Sequence, residues 1–295
     1  MLHGWPDDAF LWEKFVSSLK EVTNPLLIPD LLGYSGTSKP VDAAKYSSKA
    51  MADDLLEILD HENIKSVIST GHDWGSFLAQ RFYLFHPDRC AGVMLLNVAY
   101  MPPGADAFDM DQANAMTEQM TGHPRLAYWE LFCADDGSKV MEEHLDSVFH
   151  MMHGEGKDQM LKTFCVRGAT REWVEKDTKT KLKPYAADGE LQKRWVSRMQ
   201  KDGLTAPAQW YYAMKDNHQY NAEKELVPDK LVIKVPLLYI GCTDGKILIL
   251  MDLLYLADQI PRRGLSDTND ILTAASWTSS RCHYKGAREW TLESV

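Results

Sequence analysis

The sequence predicts an α/β protein: a mostly parallel, helix-covered sheet interrupted by an inserted helical cap. Three observations predict it. Helix and strand patterns alternate from residue 8 to residue 99. The pattern then turns wholly helical between residues 103 and 229. Finally, VPLLYIGC (235–242) returns to an apolar strand run. Strand–helix–strand order at such spacing calls for parallel strands joined by packed helices. A helical insertion between two strands of one sheet is a cap, and clefts form at the carboxyl ends of such strands. The expected organisation is a first core part at 1–102, a helical cap at 103–229 and a last core part at 230–295 with an atypical tail.

Taken in order, DAFLWEKFVSSLK (8–20) places Phe10, Leu11, Phe15 and Leu19 at helical spacing. PLLIPDL (25–31) reads as a short buried strand running into the turn-rich GYSGTSKP. Residues 47–64 form an amphipathic helix with Met51, Leu55 and Leu59 in register. SVISTG (66–71) is a strand entering GHDWG, and SFLAQRFYLFHP (76–87) a helix stopped by Pro87. AGVMLLNVA (91–99) is another buried strand. In the insertion, HPRLAYWELFC, SKVMEEHLDSVFHMM, ELQKRWVSRMQKDG and PAQWYYAMKDNH read as helices separated by Gly or Pro.

Bulk properties exclude several classes. At 295 residues, 45% hydrophobic and 25% charged, the chain has average globular usage, enough for one large domain or a domain with an insertion. A net charge of -10 argues against a nucleic-acid binder, which would want a basic face. Cys90, Cys133, Cys165, Cys242 and Cys282 are scattered with no CxxC pair, so a reduced, cytoplasmic protein without a zinc site is expected. The start, MLHGWPDD, lacks the basic and apolar regions of a signal peptide. The most apolar run, KILILMDLLYLA (246–257), is shorter than the ~18 residues of a membrane span and carries Asp252. His144, His150 and His153 do not repeat at a metal-binding helical spacing, so no metal is expected.

The chemistry concentrates at GHDWG (71–75). Gly71 and Gly75 flank Asp73 as small residues flank the nucleophile in a sharp strand-to-helix elbow. The alternative is an ordinary turn with an Asp N-cap. An Asp carboxylate is ionised at neutral pH and attacks without a base. It suits an sp3 carbon with a strained or good leaving group, as in an epoxide or alkyl halide. The product is an ester whose carbonyl belongs to the protein, so a second step must hydrolyse it with water activated by a His–acid pair. That step creates an oxyanion needing backbone N–H donors. Trp74, next to the nucleophile, is one expected donor; Trp5 in HGWP (3–6) is the other. His3 is expected to orient that loop, and His72 to be structural.

These residues resemble the epoxide hydrolase branch of the α/β-hydrolase superfamily. The motifs are HGWPD (3–7), PDLLGYSGTSKP (29–40), GHDWG (71–75), YWELF (128–132) and QWYYAM (209–214). The second is similar to the form in fungal soluble epoxide hydrolases. The resemblance runs from His3 to about Cys242. It implies an α/β-hydrolase fold, no cofactor, Asp73 as nucleophile, and Tyr128 and Tyr211 as the phenols that hold and protonate the epoxide oxygen. The implied partners are a small-molecule epoxide and water.

Two departures accompany the matches. The family has sheet strands ahead of its HGWP motif, which here begins at His3; a bared parallel edge is a route to instability or to association as a homodimer. The family's acid after the strand like VPLLYIGC is matched only by Asp244, about one position off; Asp252 is a poorer candidate. No Gly-His-Trp follows. His283, the sole histidine after His218, stands three residues beyond the expected position, which Ser280 holds. The segment before it lacks a strand pattern. His283 and Asp244 are therefore the candidates for water activation. The alternatives are haloalkane or haloacid dehalogenation on the same fold, which two proton-donating tyrosines disfavour, and a non-catalytic binding module or an incompletely folded relic.

Overall fold

The structure is a computed structural model that describes residues 1–156 and 158–242 together with two strands, 273–278 and 281–284. Asp244 and Asp252 lie outside the described residues, and of the two late strands only the backbone is described. Along the chain come helices α1 (Glu13–Ser18) and α2 (Ser48–His61), strand β1 (Val67–His72), helix α3 (Trp74–Phe85) and strand β2 (Cys90–Leu96). A helical stretch follows: α4 (Met110–Thr121), α5 (Trp129–Phe132), α6 (Gly137–Glu143), α7 (Leu145–His153), α8 (Gln159–Phe164), α9 (Ala169–Glu175), α10 (Glu190–Asp202), α11 (Thr205–Lys215) and α12 (His218–Glu223). Strands β3 (Leu237–Cys242), β4 (Thr273–Thr278) and β5 (Arg281–Tyr284) complete the described elements.

The chain divides into two compact units. One comprises Met1–Leu32, Lys45–Ala105 and the described residues from Gln219 onward; the other comprises Gly33–Ala44 and Asp106–His218. The first holds a five-stranded sheet in the order β1-β2-β3-β4-β5. β1 to β4 run parallel, and β5 returns antiparallel to β4. This is the α/β architecture the periodicities predict. Met51, Leu55 and Leu59 do face inward from α2, whose N-terminus is capped by Ser47. Every residue from Gly75 to Leu84 of α3 is buried, Ser76, Gln80 and Arg81 included.

Two local expectations are corrected. Residues 25–31 form no strand, and Leu26 is 41% exposed. A strand exists only through its partner's backbone; here the Met1 ammonium donates to Leu27 O at 2.6 Å, and no ladder follows among the described residues. Conversely, Thr273–Thr278 does form a strand, parallel to β3 with Leu238 opposite Thr273 and Cys242 opposite Trp277. Its small residues give little period-2 signal, so tertiary pairing decides. At the other end of the sheet, β1 meets among the described residues only an isolated bridge from Leu2 to Gly71 on its outer side, and Ile68 is 63% exposed. Between residues 103 and 229 the described residues contain helices and one isolated bridge, Gly154 to Leu182. No helix among the described residues is long and apolar enough to cross a membrane.

Cys90, Cys133 and Cys165 are buried free thiols. Burial pushes the first two up to about 12 and Cys165 up to about 11.

Candidate active site

Asp73 sits in the turn between β1 and α3 with φ 56° and ψ -127°. Positive φ in a non-glycine residue is strained backbone, held only where the surroundings fix it. Three glycines do so by absence. A Cβ on Gly71 would come within 2.0 Å of Gly75 O, and one on Gly75 within 2.2 Å of His3 O. A Cβ on Gly4 would lie 2.4 Å from both Cβ and Oδ1 of Asp73. The two loops can therefore close on the carboxylate only because these positions lack side chains.

The His3–Trp5 segment is pinned beside the elbow. Leu2 N–H donates to Thr70 O at 2.8 Å and His72 N–H to Leu2 O at 3.0 Å. His3 is fully buried. Its Nε2 accepts the Leu31 N–H at 2.9 Å, which leaves Nδ1 to carry the proton and donate to Gly4 O at 3.0 Å. The Trp5–Pro6 bond is cis. Trp5 N–H donates to Asp73 Oδ1 at 3.0 Å. The Trp74 N–H also bonds the Asp73 carboxylate. Asp73 occupies the N-cap position of α3 without making a side-chain cap bond to that helix. Its carboxylate instead faces the two backbone donors expected from the motif.

Burial pushes the Asp73 carboxyl above its ordinary value of 3.8, while the His72 charge and the Trp74 and Trp5 N–H groups pull it back; the rise prevails. As a residue Asp73 keeps partial solvent access, yet protein surrounds the carboxyl group, and the local surroundings of the charge decide the direction. His72 Nε2 lies 3.1 Å from the Asn97 side-chain amide. Asn97 follows β2 at φ 68°. Sequence reasoning passed over Asn97 and Gly4. The signals were there: an Asn closing an apolar strand, where αL backbone is tolerated, and a glycine inside a loop that must approach another backbone.

The second unit holds an aromatic cluster. Tyr128 stands at the start of α5, and Tyr211 lies within α11, 3% exposed. Their ring centroids are 6.0 Å apart, edge to face at 87°. Trp129 and Phe132 flank Tyr211 at 5.1 and 5.0 Å, and Phe164 lies 5.1 Å from Tyr128. Such T-shaped contacts fix ring orientation as well as burying area. The two expected tyrosines are thus brought together.

His283 lies on β5, opposite Ser276 of β4. The three cap histidines are held apart: His144 faces Asp177 at 3.7 Å, His150 bonds Thr180 O, and His153 bonds Tyr185 Oη at 3.0 Å. Burial pulls His153 down to about 4. No metal-holding cluster occurs among the described residues.

Residues 1–135 match a family described as the alpha/beta hydrolase fold. The chain has the α/β-hydrolase fold. It is similar to bifunctional epoxide hydrolase 2 of Sus scrofa, 25% identical over 240 residues, covering 79% of this chain and 41% of that protein. It is also similar to epoxide hydrolase srdG of Neurospora crassa, 32% identical over 130 residues, covering 43% of this chain and 36% of the relative. The chain therefore spans less than half the length of each of these curated relatives. Among solved structures, epoxide hydrolase A from Mycobacterium thermoresistibile superposes with a TM-score of 0.66 at 21% identity, over 82% of this chain and 74% of that one. This last likeness speaks for the α/β-hydrolase fold.

Proposed function

We propose that this chain opens epoxides to diols through an ester on Asp73. The observation that carries the reading is the Asp73 carboxylate at φ 56°, 3.0 Å from the Trp5 N–H. One carboxylate oxygen is held by backbone donors while the other attacks the epoxide carbon. The new C–O bond displaces the ring oxygen as the old one breaks. Tyr128 and Tyr211 hold that oxygen, and a phenol gives it a proton. In the second step water adds to the ester carbonyl. The resulting oxyanion takes the Trp5 and Trp74 N–H groups, and collapse frees the diol and restores the carboxylate. Water activation falls to His283 with Asp244, the candidates on either side of the tail. The epoxide hydrolase relatives support the reaction class, and the paired phenols favour an oxygen leaving group over a halide.

The test is incubation with styrene oxide, followed by intact mass and diol assay. Ester on the protein, absent in Asp73→Asn, is expected. Accumulation of that ester without diol would mark a chain that completes only the first step. Halide release from a haloalkane with neither ester nor diol from any epoxide would overturn the proposal.

A further inference from the structure

The buried face of α3 carries a polar network that starts one turn after the elbow. Ser76 Oγ donates to Val98 O at 2.7 Å. Gln80 Nε2 donates to Ala99 O at 3.1 Å, and Gln80 Oε1 accepts the Met101 N–H at 2.7 Å. Arg81 Nη1 donates to Met101 O. These bonds grip the backbone leaving β2. Arg81 then turns its fork onto the end of α12: Nε and Nη2 each donate to Glu223 carboxylate oxygens at 3.0 Å. Glu223 Oε1 also accepts Ser48 Oγ at 2.6 Å. One turn earlier on α12, Gln219 accepts the Ser48 N–H and donates to Tyr46 O at 2.9 Å. The Arg81 guanidinium lies 4.2 Å from the Phe77 ring.

Every side chain in this network is 5% exposed or less. All belong to the first unit. What they grip is specific: residues 46–48, 98–101 and 219–223 adjoin the points where the chain passes between units, at Ala44/Lys45, Ala105/Asp106 and His218/Gln219. Three of the four passages are therefore tied to one ion pair on the helix that begins at the nucleophile elbow. A buried ion pair is weak evidence for stability, since apolar replacements of similar volume are often neutral. Six fully engaged polar side chains at the passages call for another role.

We propose that Arg81 and Glu223 are positioning residues for the epoxide-opening reaction, locking the passage segments to the elbow helix. This rests on the reading of Asp73 as nucleophile and of Tyr128 and Tyr211 as donors. On that reading the nucleophile sits at the start of α3, so the rate depends on how firmly that helix and the segments tied to it are held. Arg81's two-point fork is the part a lysine cannot reproduce.

The experiment compares the full chain with Arg81→Met/Glu223→Met, Arg81→Lys and Glu223→Gln. Hydrogen exchange is read over residues 98–105 and 219–226, and ester formation on Asp73 is followed against styrene oxide concentration. Expected for the double variant is a near-native melting temperature, exchange about tenfold faster in those two segments but unchanged in β1 and β2, and a maximal ester-forming rate lowered about tenfold or more at similar half-saturation. Arg81→Lys should fall between and serves if the double variant does not fold, while Glu223→Gln, which leaves a buried cation without its counter-charge, should lose the most stability. Unchanged exchange in a folded variant would overturn the anchoring. Faster exchange with an unchanged maximal rate would overturn the positioning role while leaving the function reading intact. No ester on the unaltered chain would overturn the function reading and the positioning role together, whatever the exchange shows.

Discussion

The Asp73 elbow and the Tyr128–Tyr211 cluster are both precise, but they are built by opposite means. The elbow is made of backbone. Gly4, Gly71 and Gly75 leave room, and the N–H groups of Trp5 and Trp74 fill it. A Cβ added at any of the three glycines would collide with backbone or with Asp73. The cluster is made of rings from α5, α8 and α11, most of them touching edge to face, with several contacts sharing the load. The lesson is one of tolerance: a site defined by missing atoms fails at once when atoms are added, whereas a packed cluster degrades by degrees.

The largest effect should follow from Gly71→Ala, whose new Cβ meets Gly75 O at 2.0 Å. We expect destabilisation of about 3 kcal/mol or more in denaturant titration, or insoluble protein. A near-native midpoint would break the contrast outright. Next is Asp73→Asn, which should abolish ester formation while making the protein more stable at pH 7. The sign follows from the raised carboxyl pKa. Such a group favours folding while protonated and loses that advantage as pH rises through its folded value, so at neutral pH the buried charge opposes folding. The melting-temperature gain of Asp73→Asn should shrink on acidification; ester formation by the parent should fall over the same range, above pH 3.8. A variant no more stable than the parent at pH 7 would contradict this account. Tyr211→Phe keeps its ring packing and should leave the melting temperature nearly unchanged, but slow ester formation ~100-fold. Equal rates would remove Tyr211 from the chemistry and leave it a packing residue. The smallest effect belongs to Phe132→Leu, 1% exposed within the cluster. About 1 kcal/mol is expected by thermal melt, with no loss of fold; a collapse as severe as that of Gly71→Ala would show the two regions to be equally brittle.

The same distinction governs what the sequence disclosed. The elbow was legible because sterics admit few residue types there, so GHDWG and HGWP announce themselves. The inward stripe of Met51, Leu55 and Leu59 was legible from period alone. The cluster was readable only through the resemblance, since Phe132, Phe164 and Tyr211 share no local spacing. The Arg81–Glu223 pair was invisible, because 142 residues separate its partners. PLLIPDL reads as a strand, but a β-prone run needs a neighbour that no local rule supplies. Thr273–Thr278 erred in the opposite direction for the same reason. GYSGTSKP (33–40) reads as turn-rich, and nothing in its residues says that it joins the second unit.

The three buried cysteines give the protein an internal clock. Attack on an alkylating reagent requires thiolate, and Cys90, Cys133 and Cys165 are all held far from ionising near neutral pH. In the native state these sulfurs should ignore iodoacetamide. Each becomes reactive only when its own surroundings open. Cys90 starts β2, while Cys133 and Cys165 belong to the helical unit. Peptide-resolved labelling rates would then time the opening of the sheet and of the helices separately, on one unlabelled, unmutated chain.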